Sequence, residues 1–153
     1  MSSNCIIGPY FFNGNINAEN YVQMLNDFLW PILGRKRLRS KIYFQQDGAP
    51  AHYSLLARQW LQEKLSGRWI GRRGPIEWAA RSPDLTPLDF FLWGYVKQKV
   101  YRHNIKNLDD LRQIITETIK SISSDVLGNV FFETAKRLQL VLDNNGRHIE
   151  QLL

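Results

Sequence analysis

A strand pattern gives way to a helix pattern within residues 41–65, and a single acid stands between the two. Ile42–Phe44 form a short apolar run typical of a strand, and the run stops at Asp47. Gly48–Ala51 then make a turn of small residues, after which apolar residues recur at helical spacing. Because open α/β sheets bind ligands at the carboxyl ends of their strands, Asp47 is a candidate ligand-binding residue. A local alternative is that Asp47 caps the helix that follows.

The rest of the chain alternates between the same two patterns. Cys5–Phe12 resemble a strand that is kinked at Gly8 and Pro9, and an edge position suits Pro9 because it lacks a ladder donor. The spacing of apolar residues predicts strands at 5–12, 41–46 and 68–72, and helices at 17–33, 52–65, 87–101, 107–122 and 125–143. Strands interleaved with helices favour an α/β domain with a helical C-terminal extension.

Length and composition limit the class of protein. A chain of 153 residues with 44% hydrophobic residues is large enough for one domain with its own core. The single cysteine, Cys5, excludes an internal disulfide, and the first residues lack the pattern of a signal peptide, so we expect an intracellular protein. No apolar run approaches the length of a membrane span, and no Gly-rich phosphate loop is present. We therefore expect no membrane partner and no small-molecule cofactor.

The positive charge of the chain is concentrated in its middle. Residues 34–81 hold 11 Lys and Arg against three acids, a net charge of +8, whereas the other residues hold 9 against 11, a net charge of −2. A positive excess around Asp47 attracts a polyanion by Coulomb steering. The candidate nucleic-acid-binding residues are Arg35, Lys36, Arg37, Arg39, Lys41, Arg72 and Arg73. The alternative is a solvated basic loop without such a partner.

Two further acids, Asp84 and Asp89, lie in a Pro-rich turn that opens a helix. Each has a local alternative, because Asp84 is an ordinary turn residue and Asp89 can complete a capping box or interact with the helix dipole. Carboxylates on elements that converge are also what Mg²⁺ or Mn²⁺ needs, with water and phosphate oxygens as the remaining ligands. His52 is a candidate for orienting Asp47 or contacting a phosphate, or else it bonds only to local backbone.

Two sequence blocks resemble the signature blocks of a known family. Residues 44–52 read FQQDGAPAH and residues 81–94 read RSPDLTPLDFFLWG. These blocks are similar to the second and third signature blocks of transposases of the mariner superfamily. Residues 5–34 also resemble the segment before the second block, and NGRHIE at 145–150 resembles the usual C-terminal ending. The resemblance covers almost the whole chain.

The resemblance implies a DDE/D catalytic domain with an RNase H-like α/β fold, which uses Mg²⁺ or Mn²⁺ to cleave DNA and transfer strands by phosphoryl transfer. It makes Asp47 the second catalytic, metal-binding acid and Asp89 the third, with His52 in support. Asp84 becomes the non-catalytic aspartate of its turn. The interval between Asp47 and Asp89 holds 41 residues, longer than in the best-known mariner elements, and we place the extra length in Gly67–Ala80. The resemblance also implies DNA as partner and a nuclear location.

The first acid of the family's triad is expected on a strand upstream. Before Asp47 the sequence contains only Glu19 and Asp27 as acids, and both lie within the first predicted helix. We therefore expect a C-terminal portion of the catalytic domain, incomplete at the N-terminus, with an RNase H-like core at about 5–101 and a helical extension at about 107–153.

In the family's fold two strands precede Cys5–Phe12, and the first of them lies beside the strand that carries Asp47. Two expectations follow from the missing acid and from these two missing strands. Mg²⁺ or Mn²⁺ is expected in the complete enzyme. With two of the three carboxylates, the isolated chain should not hold a competent metal pair, and it should neither cleave nor join DNA. The unpaired edge of the Ile42–Phe44 strand favours one of two outcomes, because exposed strand edges recruit other strands. Either the sheet is rearranged so that Cys5–Phe12 pairs directly with Lys41–Gln46, or the chain is partly ordered and self-associates. The alternative function is that of a non-catalytic transposase descendant that binds nucleic acid or a protein partner.

Overall fold

The chain divides into two units in the computed structural model, which describes residues 1–78, 82–147, 149 and 151. Tyr10–Arg81 form the central unit, and Met1–Pro9 with Ser82–Leu153 form the terminal unit. Three residues of the family-like blocks lie outside the described residues: Arg81, His148 and Glu150. Within the described residues, no helix is long and apolar enough to cross a membrane.

The first helix of the central unit contains one wide turn. Its parts are α1 at Ala18–Met24, a π-helical turn at Leu25–Leu29 and α2 at Trp30–Arg35. Asn17 caps α1 and exchanges two side-chain-to-backbone hydrogen bonds of 2.9 Å with Asn20. Pro31 has no N–H for a regular ladder, and the N–H of Trp30 reaches back to the carbonyl of Leu25. The first predicted helix is confirmed, with a π-turn that the spacing did not indicate.

Two short parallel strands form the sheet of the central unit. They are β1 at Phe44–Gln45 and β2 at Trp69–Ile70. The N–H of Phe44 donates to the carbonyl of Arg68 at 3.1 Å, and the N–H of Gln46 donates to the carbonyl of Ile70 at 3.0 Å. Both predicted strands are confirmed, although each is shorter than its apolar pattern.

The helix between these strands, α3, spans Leu55–Leu65. Its N-cap is Ser54, whose hydroxyl accepts a hydrogen bond from the N–H of Ala57 at 3.2 Å. The helix therefore exists as predicted but begins later than His52. The residues between Asp47 and Ser54 form a turn instead of a first helical turn.

The core of the central unit lies between the first helix, α3 and β2. Its buried members are Tyr21, Leu25, Ala57, Trp60, Leu61, Leu65 and Trp69. Trp30 packs its ring edge against Trp60 with a centroid distance of 5.8 Å. The apolar faces that predicted the helices supply these buried residues, although Leu56 of α3 is 42% exposed.

The predicted strand at Cys5–Phe12 is wrong, because none of its residues is in a strand. Ile6 packs on the core of the terminal unit, whereas Phe12 packs on the core of the central unit. Gly8 has a φ of 122° and Pro9 has no N–H, so the backbone between the two apolar runs cannot continue a ladder. The segment Cys5–Phe12 thus contributes apolar side chains to two separate cores. Its apolar pattern in the sequence is the same as that of a strand, so the sequence does not distinguish the two arrangements.

Helices make up the regular structure described in the terminal unit. A 3₁₀ turn at Pro83–Leu85 precedes a π-helical turn at Leu88–Leu92, and the helices are α4 at Trp93–Val100, α5 at Leu108–Lys120 and α6 at Ser124–Asp143. Asn107 and Ser123 cap α5 and α6 through their side chains. The buried core includes Leu92, Val96, Val100 and Ile119. The three predicted helices from residue 87 onward are confirmed.

Leu61 and Leu55 provide a matched test of the central core, because both lie in α3. Leu61 is 0% exposed and Leu55 is 61% exposed. We expect Leu61→Ala to lower the free energy of unfolding by about 2–5 kcal/mol, because the substitution leaves a cavity. Leu55→Ala should change it by no more than about 0.5 kcal/mol. Urea denaturation followed by circular dichroism measures both, and equal losses would contradict the assignment of the core.

Candidate metal centre and nucleic-acid interface

Asp47 lies directly after β1, on the turn that leads to α3. Its side chain is 59% exposed. One oxygen, Oδ1, accepts a hydrogen bond from the N–H of Ala49 at 3.0 Å and contacts Nδ1 of His52 at 2.5 Å. Because Ser54 caps α3, the alternative that Asp47 caps this helix is wrong. The carboxylate is instead held by its own turn and by one imidazole.

The other oxygen of Asp47, Oδ2, makes no hydrogen bond or ion pair with the described part of the chain. An exposed carboxylate oxygen is a hard donor of the kind that Mg²⁺ and Mn²⁺ bind together with water. No cluster of three or more His, Cys, Asp or Glu residues occurs within 1–78, 82–147, 149 and 151. Asp47 thus fits a divalent ion as a single carboxylate ligand, with the remaining ligands supplied from elsewhere.

His52 lies between Asp47 and the first helix. Its imidazole contacts the carboxylate on one side, and its ring packs against the ring of Tyr21 with a centroid distance of 4.5 Å and an interplanar angle of 39°. Because an ionised carboxylate only accepts hydrogen bonds, Nδ1 carries the proton in this contact. The arrangement allows His52 to orient Asp47, which is the supporting role that the resemblance implies.

A buried pair of polar side chains lies behind this turn. The hydroxyl of Tyr21 donates to Oε1 of Gln46 at 2.8 Å, and Nε2 of Gln46 donates to the carbonyl of His52 at 2.6 Å. Burial raises the pKa of Tyr21 above its usual range, and the negative charge of Asp47 raises it further. The sequence did not indicate either residue as part of the site. Tyr21 looked like part of an apolar helix face, and the one available signal was a glutamine at the end of an apolar strand.

The two candidate acids of the Pro-rich turn in the terminal unit, Asp84 and Asp89, differ in exposure. Asp84 is buried in the 3₁₀ turn, whereas Asp89 is exposed in the first turn of the following helix. The carbonyl of Asp84 accepts a hydrogen bond of 3.1 Å from Nη1 of Arg137 on α6. The guanidinium of Arg137 also lies 4.2 Å from the ring centre of Phe90. Asp89 therefore follows a turn that is held in place by α6.

The predicted metal ligands lie in different units. Asp47 and His52 belong to the central unit and are in contact, and Asp89 belongs to the terminal unit. The pairing of Asp47 with Asp89 in one metal site stays a prediction.

All seven candidate nucleic-acid-binding residues lie in the central unit, and all are exposed. Arg39 nevertheless has a structural task, because its Nε and Nη2 donate to the carbonyl of Trp30 at 3.2 and 2.9 Å. Its guanidinium also lies 4.3 Å from the ring centre of Trp30. A Cβ on Gly34 would lie 2.8 Å from this guanidinium, so glycine leaves the space that Arg39 fills.

Arg72 and Arg73 lie on a tight turn after β2. Arg72 lies 4.4 Å and Arg73 lies 5.7 Å from the ring centre of Tyr53. The N–H of Arg73 donates to the carboxylate of Glu77 at 3.0 and 3.2 Å. A Cβ on Gly48 would lie 3.7 Å from Cδ of Arg72, so the stem of this arginine passes beside the turn of Asp47. Of the seven basic residues, Arg72 and Arg73 thus lie over a ring of the turn that follows Asp47, and Arg72 is the nearer of the two.

Comparisons with known proteins agree with the two sequence blocks. The Tc3 transposase of Caenorhabditis elegans is 30% identical over 141 residues, which cover 91% of this chain and 40% of the relative. The Tc1 transposase of the same species is 29% identical over 103 residues, or 67% of this chain and 35% of the relative. This chain is a homologue of transposases of the Tc1/Tc3/mariner family. It spans less than half of the length of these relatives, and no family model matches it.

Solved structures of Mos1, a mariner transposase, share the fold of this chain. The catalytic domain of Mos1 solved with raltegravir and Mg has a TM-score of 0.75 and 23% identity, covering 90% of this chain and 67% of that structure. The Mos1 paired-end complex with the left transposon end has a TM-score of 0.75 and 23% identity, covering 90% of this chain and 38% of that one. The RNase H-like fold and the helical C-terminal region of this transposase homologue are thereby confirmed.

The buried hydroxyl of Tyr21 predicts a loss of stability at alkaline pH. Burial disfavours the phenolate, so the pKa of Tyr21 is higher in the folded chain than in the unfolded chain, where tyrosine titrates near about 10. Above about pH 10 the unfolded chain releases a proton that the folded chain retains, and the free energy of unfolding falls as pH rises. Tyr21→Phe should make this fall less steep in urea denaturation between about pH 9 and pH 11.

Tyr101→Phe is the matched control for this measurement, because Tyr101 is exposed. It should leave the alkaline slope at the wild-type value. An unchanged slope in Tyr21→Phe would show that the Tyr21 hydroxyl is not shielded from water as the structure has it.

Proposed function

We propose that this chain is the C-terminal portion of a DDE/D transposase catalytic domain, in which Asp47 and Asp89 bind Mg²⁺ or Mn²⁺ next to DNA phosphates. The observation that supports this proposal most directly is how the two oxygens of the Asp47 carboxylate differ in their contacts. One of its oxygens is held by the turn and by His52. The other makes no hydrogen bond or ion pair within the described part of the chain, and the side chain is 59% exposed. The homology to Tc1 and Tc3 transposases, which this chain spans in part, supports the same activity.

The proposed site uses two carboxylates, one imidazole and one guanidinium. Asp47 supplies a carboxylate oxygen at the carboxyl end of β1, His52 keeps that carboxylate in one orientation, and Asp89 supplies the second carboxylate. A divalent ion, when bound, stabilises negative charge on a phosphodiester oxygen and lowers the pKa of a water ligand. Arg72 then contacts a phosphate beside Asp47, because its guanidinium is fixed over Tyr53 at the edge of the same turn.

DNA is the proposed partner. The Mos1 structures include a paired-end complex with a transposon end and a pre-cleavage transpososome, and they support the inference. The seven exposed Arg and Lys residues of the central unit provide the charge for contacts with phosphates. We propose that the protein acts in the nucleus, where such DNA is found.

The 153-residue chain by itself should not cleave DNA. The acids before Asp47 are Glu19 and Asp27, and both lie in the first helix and are exposed. The chain thus supplies two carboxylates of the three that the family uses. Incubation of the purified chain with duplex DNA and Mn²⁺ should give no strand breaks. Breaks that need Mn²⁺ and disappear in Asp47→Ala would show that two carboxylates suffice.

A DNA-binding role without catalysis is the second candidate, and the exposed basic residues favour it. Duplex DNA should bind weakly and without sequence preference, because the proposed contacts are to phosphates. The logarithm of the binding constant should fall linearly with the logarithm of salt concentration, by about 0.9 for each phosphate contacted. Arg35, Lys36 and Arg37 changed together to Ala should reduce this slope by about 2 to 3, measured by fluorescence anisotropy.

A matched control removes three positive charges from the terminal unit, at Lys97, Arg102 and Lys120, which are all exposed. It should leave the salt slope close to that of the wild-type chain. Equal effects of the two triple variants would show that net charge, and not the central basic residues, governs binding. Retained DNA binding without any Mn²⁺ binding would favour the second candidate over the first.

Self-association is proposed from the free edge of β1. The N–H groups of Phe44 and Gln46 bond to β2, so the N–H of Gln45 points to the opposite side by alternation. No strand pairs with that side in the described part of the chain. Exposed strand edges recruit other strands, and Tyr43 beside this edge is exposed as well. Light scattering at about 50 µM should detect oligomers, and a monodisperse monomer would contradict the proposal.

A further inference from the structure

Tyr21 is a core residue that carries one polar atom to a specific partner. It is 5% exposed and packs in the core of the central unit with Leu25 and Leu61. Its hydroxyl donates to Oε1 of Gln46, which is 6% exposed, at 2.8 Å. A phenylalanine would fill almost the same volume, so what the hydroxyl adds at this position is a hydrogen bond and not packing.

Gln46 uses both ends of its side-chain amide. Oε1 accepts from Tyr21, and Nε2 donates to the carbonyl of His52 at 2.6 Å. Its backbone N–H is part of the sheet, through the bond to Ile70. Gly71 leaves the space for this side chain, because a Cβ there would lie 3.1 Å from Cγ of Gln46. The amide therefore has one orientation in which both of its partners are satisfied.

The backbone and the ring of His52 are held from the same side. Gln46 fixes the carbonyl of His52, and the ring of Tyr21 packs against the imidazole at a centroid distance of 4.5 Å. These two contacts leave Nδ1 facing Oδ1 of Asp47 at 2.5 Å. The position of the carboxylate is thus linked by direct contacts to a buried hydroxyl on α1.

We infer that Tyr21 and Gln46 are positioning residues for the metal-binding carboxylate of Asp47. They hold His52 in the side-chain rotamer in which Nδ1 contacts Oδ1 of Asp47. Oδ2 of Asp47 is then the oxygen available to a divalent ion. The inference rests on the proposed function, in which Asp47 is a metal ligand. Neither residue contacts the ion or the DNA, and both act through His52.

The first arm of the test needs no metal. The experiment is ¹⁵N and ¹H NMR of the His52 ring in the metal-free 153-residue chain. The ring signals are assigned because they disappear in His52→Gln, and they should show a proton on Nδ1 that exchanges slowly with water. Tyr21→Phe and Gln46→Met should each lose this slow signal, because the imidazole is no longer held against Asp47. Tyr43→Phe is the matched control on an exposed tyrosine of the same unit, and it should keep the signal.

The second arm measures Mn²⁺ affinity from the paramagnetic broadening of the Gly48 amide signal. Asp47→Asn should abolish the broadening, and Tyr21→Phe and Gln46→Met should each weaken binding about tenfold. Both arms are read well below the melting temperature of each variant, so that a general loss of stability does not enter. Gln46→Met keeps the test open if Tyr21→Phe does not fold.

Two outcomes separate the inference from the function on which it rests. If Tyr21→Phe and Gln46→Met keep both the slow Nδ1 proton and an Mn²⁺ affinity within twofold of wild type, the positioning role is wrong. If Asp47→Asn leaves the broadening of Gly48 unchanged, the proposed metal contact is wrong, and the His52 signal alone decides the positioning role.

Discussion

Three groups of the buried Gln46 hold three different segments of the central unit. Its N–H bonds to β2, its side-chain oxygen accepts from Tyr21 on α1, and its side-chain N–H donates to the carbonyl of His52 on the acid's turn. A buried amide that lost any of these partners would keep an unsatisfied polar group, at a cost of about 1–3 kcal/mol. The turn that carries Asp47 is therefore tied to the core through Gln46, in addition to its own exposed contacts with Ala49 and His52.

Each predicted metal ligand is supported by the packing of its own unit. Asp47 depends on the Gln46 contacts and on His52. Asp89 follows the turn of Asp84, whose carbonyl is held by Arg137 from α6. The helical C-terminal region thus holds the turn that precedes Asp89. The sequence did not indicate this contact, because Arg137 and Asp84 are 53 residues apart. Exposure agrees with the proposed division of roles, since Asp84 is buried and Asp89 is not.

The sequence predicted those elements whose signals are local. Helical spacing placed five helical regions correctly, and the small residues after Asp47 placed this acid on a turn at the end of β1. The strand at Cys5–Phe12 was wrong because its two apolar runs pack on two separate cores. The structural task of Arg39 and the contacts of Tyr21 and Gln46 depend on side chains that meet only in the folded chain. In the sequence, Arg39 is one of several basic residues and Tyr21 is part of an apolar helix face. Neither property indicates that Arg39 bonds to the carbonyl of Trp30 or that Tyr21 bonds to Gln46.

The central claim is that Asp47 and Asp89 bind one divalent ion, and a double-mutant cycle of Mn²⁺ affinity tests it most directly. Electron paramagnetic resonance of free Mn²⁺ gives the affinity of the wild-type chain, of Asp47→Asn, of Asp89→Asn and of the double variant. In a shared site, either single substitution removes most of the binding, and the second adds little, so the two effects are strongly non-additive. Additive effects, or an Asp89→Asn variant that binds Mn²⁺ as the wild type does, would contradict the account.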